Sequence, residues 1–326
     1  MNQIPIQDSY GVKMHPRKPL VFLLLVCVTA IGVFSRASWI LTVYHDYFVH
    51  QNASLCACDK CLTDYDPWFT KLIKESPEPF LSITNNVSSD AFNWWKRIQT
   101  DRRNYSYYKK TVDKVFQIFP TNVHSTRSSP DLCRTCAVIG NSGNLNGSHY
   151  GSMIDFHDIV IRMNHGPTEG FERDVGNKTT YHVMFPNSFK NLDNTTRLVF
   201  FPYKIRDLEW LMWSFTQSQR ESAKSRMNKD LVMILSPEFM KYVHYVWLNQ
   251  KGRYPSTGFL TLILSFHMCD EVSVFGFGAD KNGNWNHYYE PLKNKRLKTG
   301  QHPGSVEYKY IEKLHEQKKI SFFRGW

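Results

Sequence analysis

The chain has 326 residues, 42% of them apolar and 15% aromatic, which is room for one large domain with an appendage and too apolar for a disordered polypeptide. Lysine and arginine exceed aspartate and glutamate by 40 − 29 = 11, a balance that favours anionic partners. The excess is spread along the chain and not massed in one arm, which argues against a dedicated nucleic-acid tail.

Residues 1–18 carry Lys13, His15, Arg17 and Lys18 against one acid, Asp8, and residues 20–34 follow as an uninterrupted apolar run of 15. At about 1.5 Å per residue a helix there spans about 22 Å, short of the ~30 Å hydrocarbon core. A thinner early-secretory membrane, with Pro19 and Ser35 at its interfaces, narrows the deficit. The charge asymmetry sets a cytoplasmic N-terminus and a luminal remainder. A cleaved signal peptide is the alternative, since Ser35-Arg36-Ala37 loosely resembles a cleavage site. The long basic region and the apolar, aromatic continuation over 37–48 favour an uncleaved anchor. The chain is therefore divided into a cytoplasmic tail (1–18), a transmembrane signal-anchor (19–35), a stem (36–65) and a luminal catalytic domain (66–326).

Export has two further supports. Sequons stand at Asn52, Asn86, Asn104, Asn146, Asn177 and Asn194, all in the luminal part. Cys27 lies in the apolar run, leaving Cys56, Cys58, Cys61, Cys133, Cys136 and Cys269, an even set that an oxidising lumen turns into three disulfides. Two rival uses remain: zinc held by Cys58-x-x-Cys61 with Cys133-x-x-Cys136, or a redox pair at Cys133-x-x-Cys136. Redox pairs usually open a helix, whereas this one runs into a strand.

Past the stem, 66–75 and 90–99 read as helices, the second amphipathic with Phe92, Trp95 and Ile98 inward and Gln99 one turn on, within reach of a pocket. Short β-rich runs follow at 137–140, 158–163, 197–202, 231–235 and 271–278. Helical segments at 207–215, 237–250 and 257–269 separate several of them. Strands alternating with helices predict an α/β domain, a mostly parallel Rossmann-like sheet covered on both faces.

Four stretches carry candidate chemistry. Gly140 to Asn144 follow a buried strand, where glycines let backbone N–H groups approach a phosphate, although Gly-x-x-Gly specifies no dinucleotide. Asn164 closes the second strand and, beside Asn141, offers amide groups to a nucleotide. Ser256 and Thr257 open an apolar helix, as caps, as anion holders, or as both. His287 and His302, the latter with Glu307 five residues on, follow the glycine-rich Gly276-Phe277-Gly278, and imidazoles are suited to acid/base work near neutral pH.

Taken together, residues 133–186 (CRTCAVIGNSGNLNG through YHVMFP) resemble the large sialylmotif of animal sialyltransferases, and residues 253–280 (RYPSTGFLTLILSFHMCDEVSVFGFGAD) resemble the small one. HYYE (287–290) is similar to their third motif and HPGSVE (302–307) to their very small motif, in the family's order. CACDKC, RYPSTG and NWNHYYE are most similar to the beta-galactoside alpha-2,3 branch acting on Gal-beta-1,3-GalNAc. The resemblance implies an inverting, metal-independent glycosyltransferase of variant GT-A fold, without a cofactor and resident in the Golgi membrane. It would transfer sialic acid from CMP-sialic acid to the 3-hydroxyl of a terminal galactose.

By motif position Asn141, Asn164, Ser256, Gly258 and Gly278 would hold CMP, His287 would contact its phosphate, and His302 would be the base. Gln99 and Tyr254 would hold the acceptor galactose, and the disulfides implied are Cys56–Cys61, Cys58–Cys133 and Cys136–Cys269. The partners implied are CMP-sialic acid, galactose-terminated glycans of glycoproteins or glycolipids and the Golgi membrane, with homodimerisation left open and no nucleic acid. Three features depart from the branch. Tyr289 stands where tryptophan is usual, the segment between His287 and His302 is slightly short, and the 213–230 stretch is shortened and lacks a tyrosine expected at the donor. Asp64-Tyr65-Asp66 reads as a chance D-x-D beside the stem cysteines. The alternatives are a sialyltransferase of alpha-2,6 or alpha-2,8 linkage and a catalytically silent sialoglycan-binding membrane protein.

Overall fold

The computed structural model describes residues 29, 31–33, 35–36, 57–58, 62, 66–119, 131–220, 228–292 and 301–325. The chain divides into two compact units, Met1–Ser54 and Leu55–Trp326. Of the expected anchor at 19–35 only residues 29, 31–33 and 35 are described, as helix, and among the described residues no helix is long and apolar enough to cross a membrane.

The second unit is built on seven strands: β1 (Thr135–Ile139), β2 (Ile159–Met163), β3 (Tyr181–Met184), β4 (Arg197–Phe200), β5 (Val232–Ile234), β6 (Glu271–Phe275) and β7 (Ser321–Phe323). All pairings are parallel, in the order β5-β4-β3-β2-β1-β6-β7. Strands buried on both faces have no polar side, hence the near-continuous apolar runs that betray them in the sequence. β1 shows the two-sidedness: Cys136 and Val138 point into the larger core, and Ala137 and Ile139 into a smaller one with Leu145, Ile154, Val175 and Phe275.

Nine α-helices are described around the sheet: α1 (Pro67–Glu75), α2 (Ser89–Ile98), α3 (Tyr105–Ile118), α4 (Gly151–Phe156), α5 (Glu172–Val175), α6 (Ile205–Arg220), α7 (Pro237–Tyr242), α8 (Thr257–Ser265) and α9 (Gly304–Glu316). α8 lies over β1 and β2. Every residue from Phe259 to Ser265 is buried, so α8 is apolar all round because protein encloses it on all sides. α2 is one-sided, with Ala91, Phe92, Trp94, Trp95 and Ile98 buried and Ser88 capping its first turn.

The expected helices and strands are present, with boundaries shifted by a few residues. β3, β7, α3, α4, α5 and α9 are additional. β3 carries a histidine in its middle, β7 is three residues long, and α3 buries only Tyr108, Thr111 and Val115 among lysines and tyrosines.

Disulfides join Cys58 to Cys133 and Cys136 to Cys269. The second ties positions 133 residues apart and contributes roughly 5 kcal/mol on a chain-entropy basis. Cys56 and Cys61 lie outside the described residues. The one grouping of potential metal ligands among the described residues is Cys58, Cys133 and Glu271, and both of its thiols are consumed in the first disulfide. Of the D-x-D, Asp66 caps α1 by accepting from Phe69 N–H at 3.0 Å and pairs with Lys319 at 3.4 Å, while Asp64 and Tyr65 lie outside the described residues. Asn86, Asn104, Asn146, Asn177 and Asn194 are all exposed, and Asn52 is outside the described residues.

Candidate active site

Chain direction across the sheet reverses at β1. β2 to β5 were laid down on one side of it and β6 and β7 on the other. Open α/β sheets bind ligands at such a reversal, beyond the carboxyl ends of the strands. A cavity of about 440 Å³ opens at that point, and Asn141, Asn164, Ser256, Gly258, Gly278, His287 and His302 all line it.

Its floor is backbone. Gly140 N–H donates to Phe275 carbonyl at 2.8 Å, and Ser142 N–H donates to Gly276 carbonyl at 3.0 Å, so the exits of β1 and β6 are joined directly. A Cβ on Gly140 would sit 2.2 Å from Gly276 carbonyl oxygen, and one on Gly278, whose φ is +89°, would sit 2.4 Å from the ring of Tyr308. Glycine is therefore required at both positions. The loop after β1 is held in turn by the segment bearing His287: Gly143 N–H donates to Asn286 carbonyl (2.8 Å) and Tyr288 N–H to Asn141 carbonyl (2.9 Å).

The two asparagines are oriented from behind. Asn141 Nδ2 donates to Met163 carbonyl at 3.0 Å. Asn164, in the left-handed region at φ 55°, accepts at Oδ1 from Ser188 Oγ (3.0 Å) and at its carbonyl from His182 Nε2 (2.6 Å). Burial, helped by Lys190, pulls His182 down to about 3 despite the Asn164 bond, so the ring stays neutral and Nε2 carries the proton. Sequence reasoning missed His182 and Ser188; nothing local marks them, because both act through contacts made across the sheet.

Ser256 caps α8, one of the two roles anticipated for it, and also bonds to Glu307. Its Oγ accepts from Phe259 N–H (3.1 Å), capping α8, and donates to Glu307 Oε2 (2.6 Å), while its N–H donates to Glu307 Oε1 (2.7 Å). Burial raises the Glu307 pKa above the ordinary carboxylate value, with the two Ser256 bonds opposing the shift. The hydroxyl is thus spent on protein partners. The donors left at the start of α8 are the N–H groups of Thr257 and Gly258, which have no intrahelical acceptor and belong to residues lining the cavity.

His302 sits just ahead of α9. Its Nδ1 lies 3.3 Å from Tyr254 carbonyl, and its ring meets that of Tyr254 edge-on at 4.7 Å. A carbonyl only accepts, so Nδ1 bears the proton and Nε2 keeps a lone pair. Burial holds the His302 pKa below the ordinary imidazole value, the Tyr254 carbonyl opposing it. His287 Nδ1 lies 2.9 Å from Glu290 Oε2, and its ring stacks on Tyr289 at 5.2 Å, so the tyrosine that departs from the expected tryptophan supports the imidazole.

Gln99 and Tyr254 do not line the cavity; they flank it behind His302. Gln99 is exposed at the end of α2, and its Nε2 donates to Tyr254 Oη at 3.4 Å. Trp285, Asn286, Tyr308 and Ile311 also line the cavity; the first three stand inside or next to the NWNHYYE and HPGSVE stretches, which was the signal available for them. Of the shortened stretch, residues 221–227 lie outside the described residues.

The profile of glycosyltransferase family 29 (sialyltransferase) matches residues 80–319. A pig protein named CMP-N-acetylneuraminate-beta-galactosamide-alpha-2,3-sialyltransferase 1 is 42% identical over 283 residues, covering 83% of this chain and 82% of its own. The human protein of the same name is 40% identical over 282 residues, with 83% of each chain covered. The crystal structure of a mammalian sialyltransferase in complex with Gal-beta-1-3GalNAc-ortho-nitrophenol superposes with a TM-score of 0.72 at 40% identity. It covers 83% of this chain and all of the other.

Proposed function

The chain belongs to glycosyltransferase family 29, the sialyltransferases, and from that premise we propose that it transfers sialic acid from CMP-sialic acid to the 3-hydroxyl of a terminal galactose in Gal-beta-1,3-GalNAc. The observation that carries this reading is the meeting of His287, His302, Asn141, Asn164 and the α8 N-terminus around one cavity at the β1/β6 reversal.

In this reading CMP lies across the strand ends, its ribose and base near Asn141, Asn164, Gly258 and Gly278, and its phosphate near His287 and the free N–H groups of α8. Ser256 contributes by holding α8 in place, its hydroxyl engaged by Phe259 N–H and Glu307 and not by CMP. The acceptor galactose lies against Tyr254 and Gln99. His302 Nε2 takes the proton of the 3-hydroxyl as that oxygen forms its bond to the anomeric carbon. The bond from that carbon to the phosphate oxygen breaks on the opposite face, and CMP leaves with the electron pair, so configuration inverts. The transition state has oxocarbenium character, and the sialic carboxylate beside it offsets the positive charge. N–H donors aimed at the departing phosphate stabilise it as charge develops.

A divalent metal has no role in this scheme. Among the described residues the single carboxylate lining the cavity, Glu307, has both oxygens engaged by Ser256, so this donor set suits a cation poorly. EDTA is expected to spare turnover. The exposed sequons and the two disulfides support a Golgi lumen as the location, reached through the N-terminal anchor.

The decisive experiment is His302→Ala. Turnover should fall 10²–10⁴-fold, as for removal of a positioned base, with CMP affinity unchanged within about twofold; lost CMP binding would refute the base assignment. The pH profile adds a signed test. A base with a depressed pKa is free at lower pH, so the acidic limb of kcat/KM should lie below the ordinary imidazole value of about 6.5.

A further inference from the structure

The turn leading into Arg253 and Tyr254 is held from behind by a residue outside the catalytic scheme. After α7 the chain widens into a π-turn, Val243–Trp247, whose second residue, His244, is 5% exposed. Its ring lies against Trp94 of α2, centroids 5.4 Å and planes 30° apart, and meets Tyr245 at a steep angle. π-turns are frequent at functional sites.

His244 grips the next turn at two points. Its carbonyl accepts from Gln250 N–H at 2.9 Å, and its Nε2 lies 3.2 Å from Gly252 carbonyl, so Nε2 is the protonated nitrogen. Asn249 (φ 46°), Gln250 (φ 59°) and Gly252 (φ 70°) all sit in the left-handed region, which residues with a Cβ seldom enter. Such a turn needs external bonds to persist.

From this turn three contacts reach the segment bearing His302. Gly252 packs so closely on Pro303 that a Cβ would lie 2.5 Å from its Cδ. Arg253 N–H donates to Gln301 carbonyl at 3.0 Å, and Tyr254 carbonyl takes His302 Nδ1–H at 3.3 Å. Residues 301–303 are thus located by residues 252–254, one for one.

We propose that His244 is a positioning residue for transfer: by locking the 249–252 turn it fixes Tyr254 and, through the Tyr254 carbonyl, the orientation of the His302 ring. His244 does not line the cavity and acts only through the turn. Burial keeps its pKa below the ordinary imidazole value, the Gly252 bond opposing, so the clamp is a neutral ring. The inference rests on the reading of His302 as the base.

Two variants of the full chain test it. His244→Phe keeps a ring against Trp94 and removes the N–H, whereas His244→Gln retains an N–H donor. The phenylalanine variant should lose about 10- to 100-fold in kcat, the scale of a reacting group displaced by about 1 Å, and raise acceptor KM severalfold. Its CMP affinity should stay within about twofold of the parent. The acidic limb of kcat/KM should move up toward pH ~6.5 as a loosened His302 regains water, and His244→Gln should restore most of kcat. Unchanged kcat and acceptor KM in His244→Phe would overturn the proposal. So would a loss in which CMP affinity and Tm fall together, the limb stays put and glutamine fails to rescue, for that is a packing defect. Turnover surviving in His302→Ala would instead sink the base assignment, whatever His244 does.

Discussion

The two halves of the site are made of different material. On the nucleotide side, between β1 and β6, position is set by main-chain bonds from Gly140, Ser142, Gly143 and Tyr288. On the acceptor side, around Tyr254, position depends on side chains: Gln99 at 3.4 Å, the rings of Tyr203 and His302, and a turn of left-handed residues clamped by His244. Main-chain ladders are indifferent to which side chains project outward, but they admit none between the strands. Side-chain contacts change with every substitution. One scaffold can therefore keep a fixed donor cradle while its acceptor preference drifts.

If that contrast is right, the largest effect should come from adding one methyl group on the nucleotide side. In Gly140→Ala the new Cβ would lie 2.2 Å from a main-chain oxygen of Gly276, which has no rotamer with which to yield. Separating β1 from β6 breaks the floor of the cavity. A loss of roughly 4 kcal/mol, at the upper end for single substitutions, is expected in urea unfolding, along with loss of CMP binding in whatever still folds. An alanine variant with parental stability and CMP affinity would break the contrast at its stronger end.

A smaller effect is expected where the halves join. Ser256→Ala removes the α8 cap, worth about 1 kcal/mol, and leaves the buried Glu307 with one donor in place of two, a further 1–3 kcal/mol. Since Ser256 belongs to the nucleotide side and Glu307 to the helix that follows His302, both CMP affinity and kcat should fall, each by about tenfold. A fall in CMP affinity alone would mean that the hydroxyl touches the nucleotide directly and that the link to Glu307 is incidental.

The same contrast explains what could be read ahead of the structure. The cradle was legible because its signal is local: an apolar run ending in Gly140-Asn141, another ending in Gly276-Phe277-Gly278, and a serine ahead of an apolar helix. Gly140 against Gly276, or Ser256 against Glu307, joins residues far apart in the chain, and no periodicity reports such a pairing. β3 was missed because His182, buried at 1% exposure, looks polar until its bond to the Asn164 carbonyl is seen. α3 was missed because tyrosines and lysines interrupt its buried face. For Ser256 the capping role could be read from the sequence, but its bond to Glu307 could not, because that acceptor lies 51 residues further along the chain.

The smallest effect belongs to Gln99. It is exposed at the end of α2, its one bond into the site is long at 3.4 Å, and its backbone lies outside the ladders that shape the cavity. Gln99→Ala should therefore cost less than about 0.5 kcal/mol of stability, as for surface positions generally, and leave CMP affinity unchanged. If the amide holds a galactose hydroxyl, acceptor KM should rise about 5- to 10-fold, the worth of one hydrogen bond of about 1 kcal/mol, with kcat nearly constant because such a contact serves ground and transition states alike. A drop in kcat at constant KM would place Gln99 on the reacting hydroxyl. A drop in CMP affinity would mean that the two halves are coupled through α2, and the division between a main-chain cradle and a side-chain acceptor site would no longer hold.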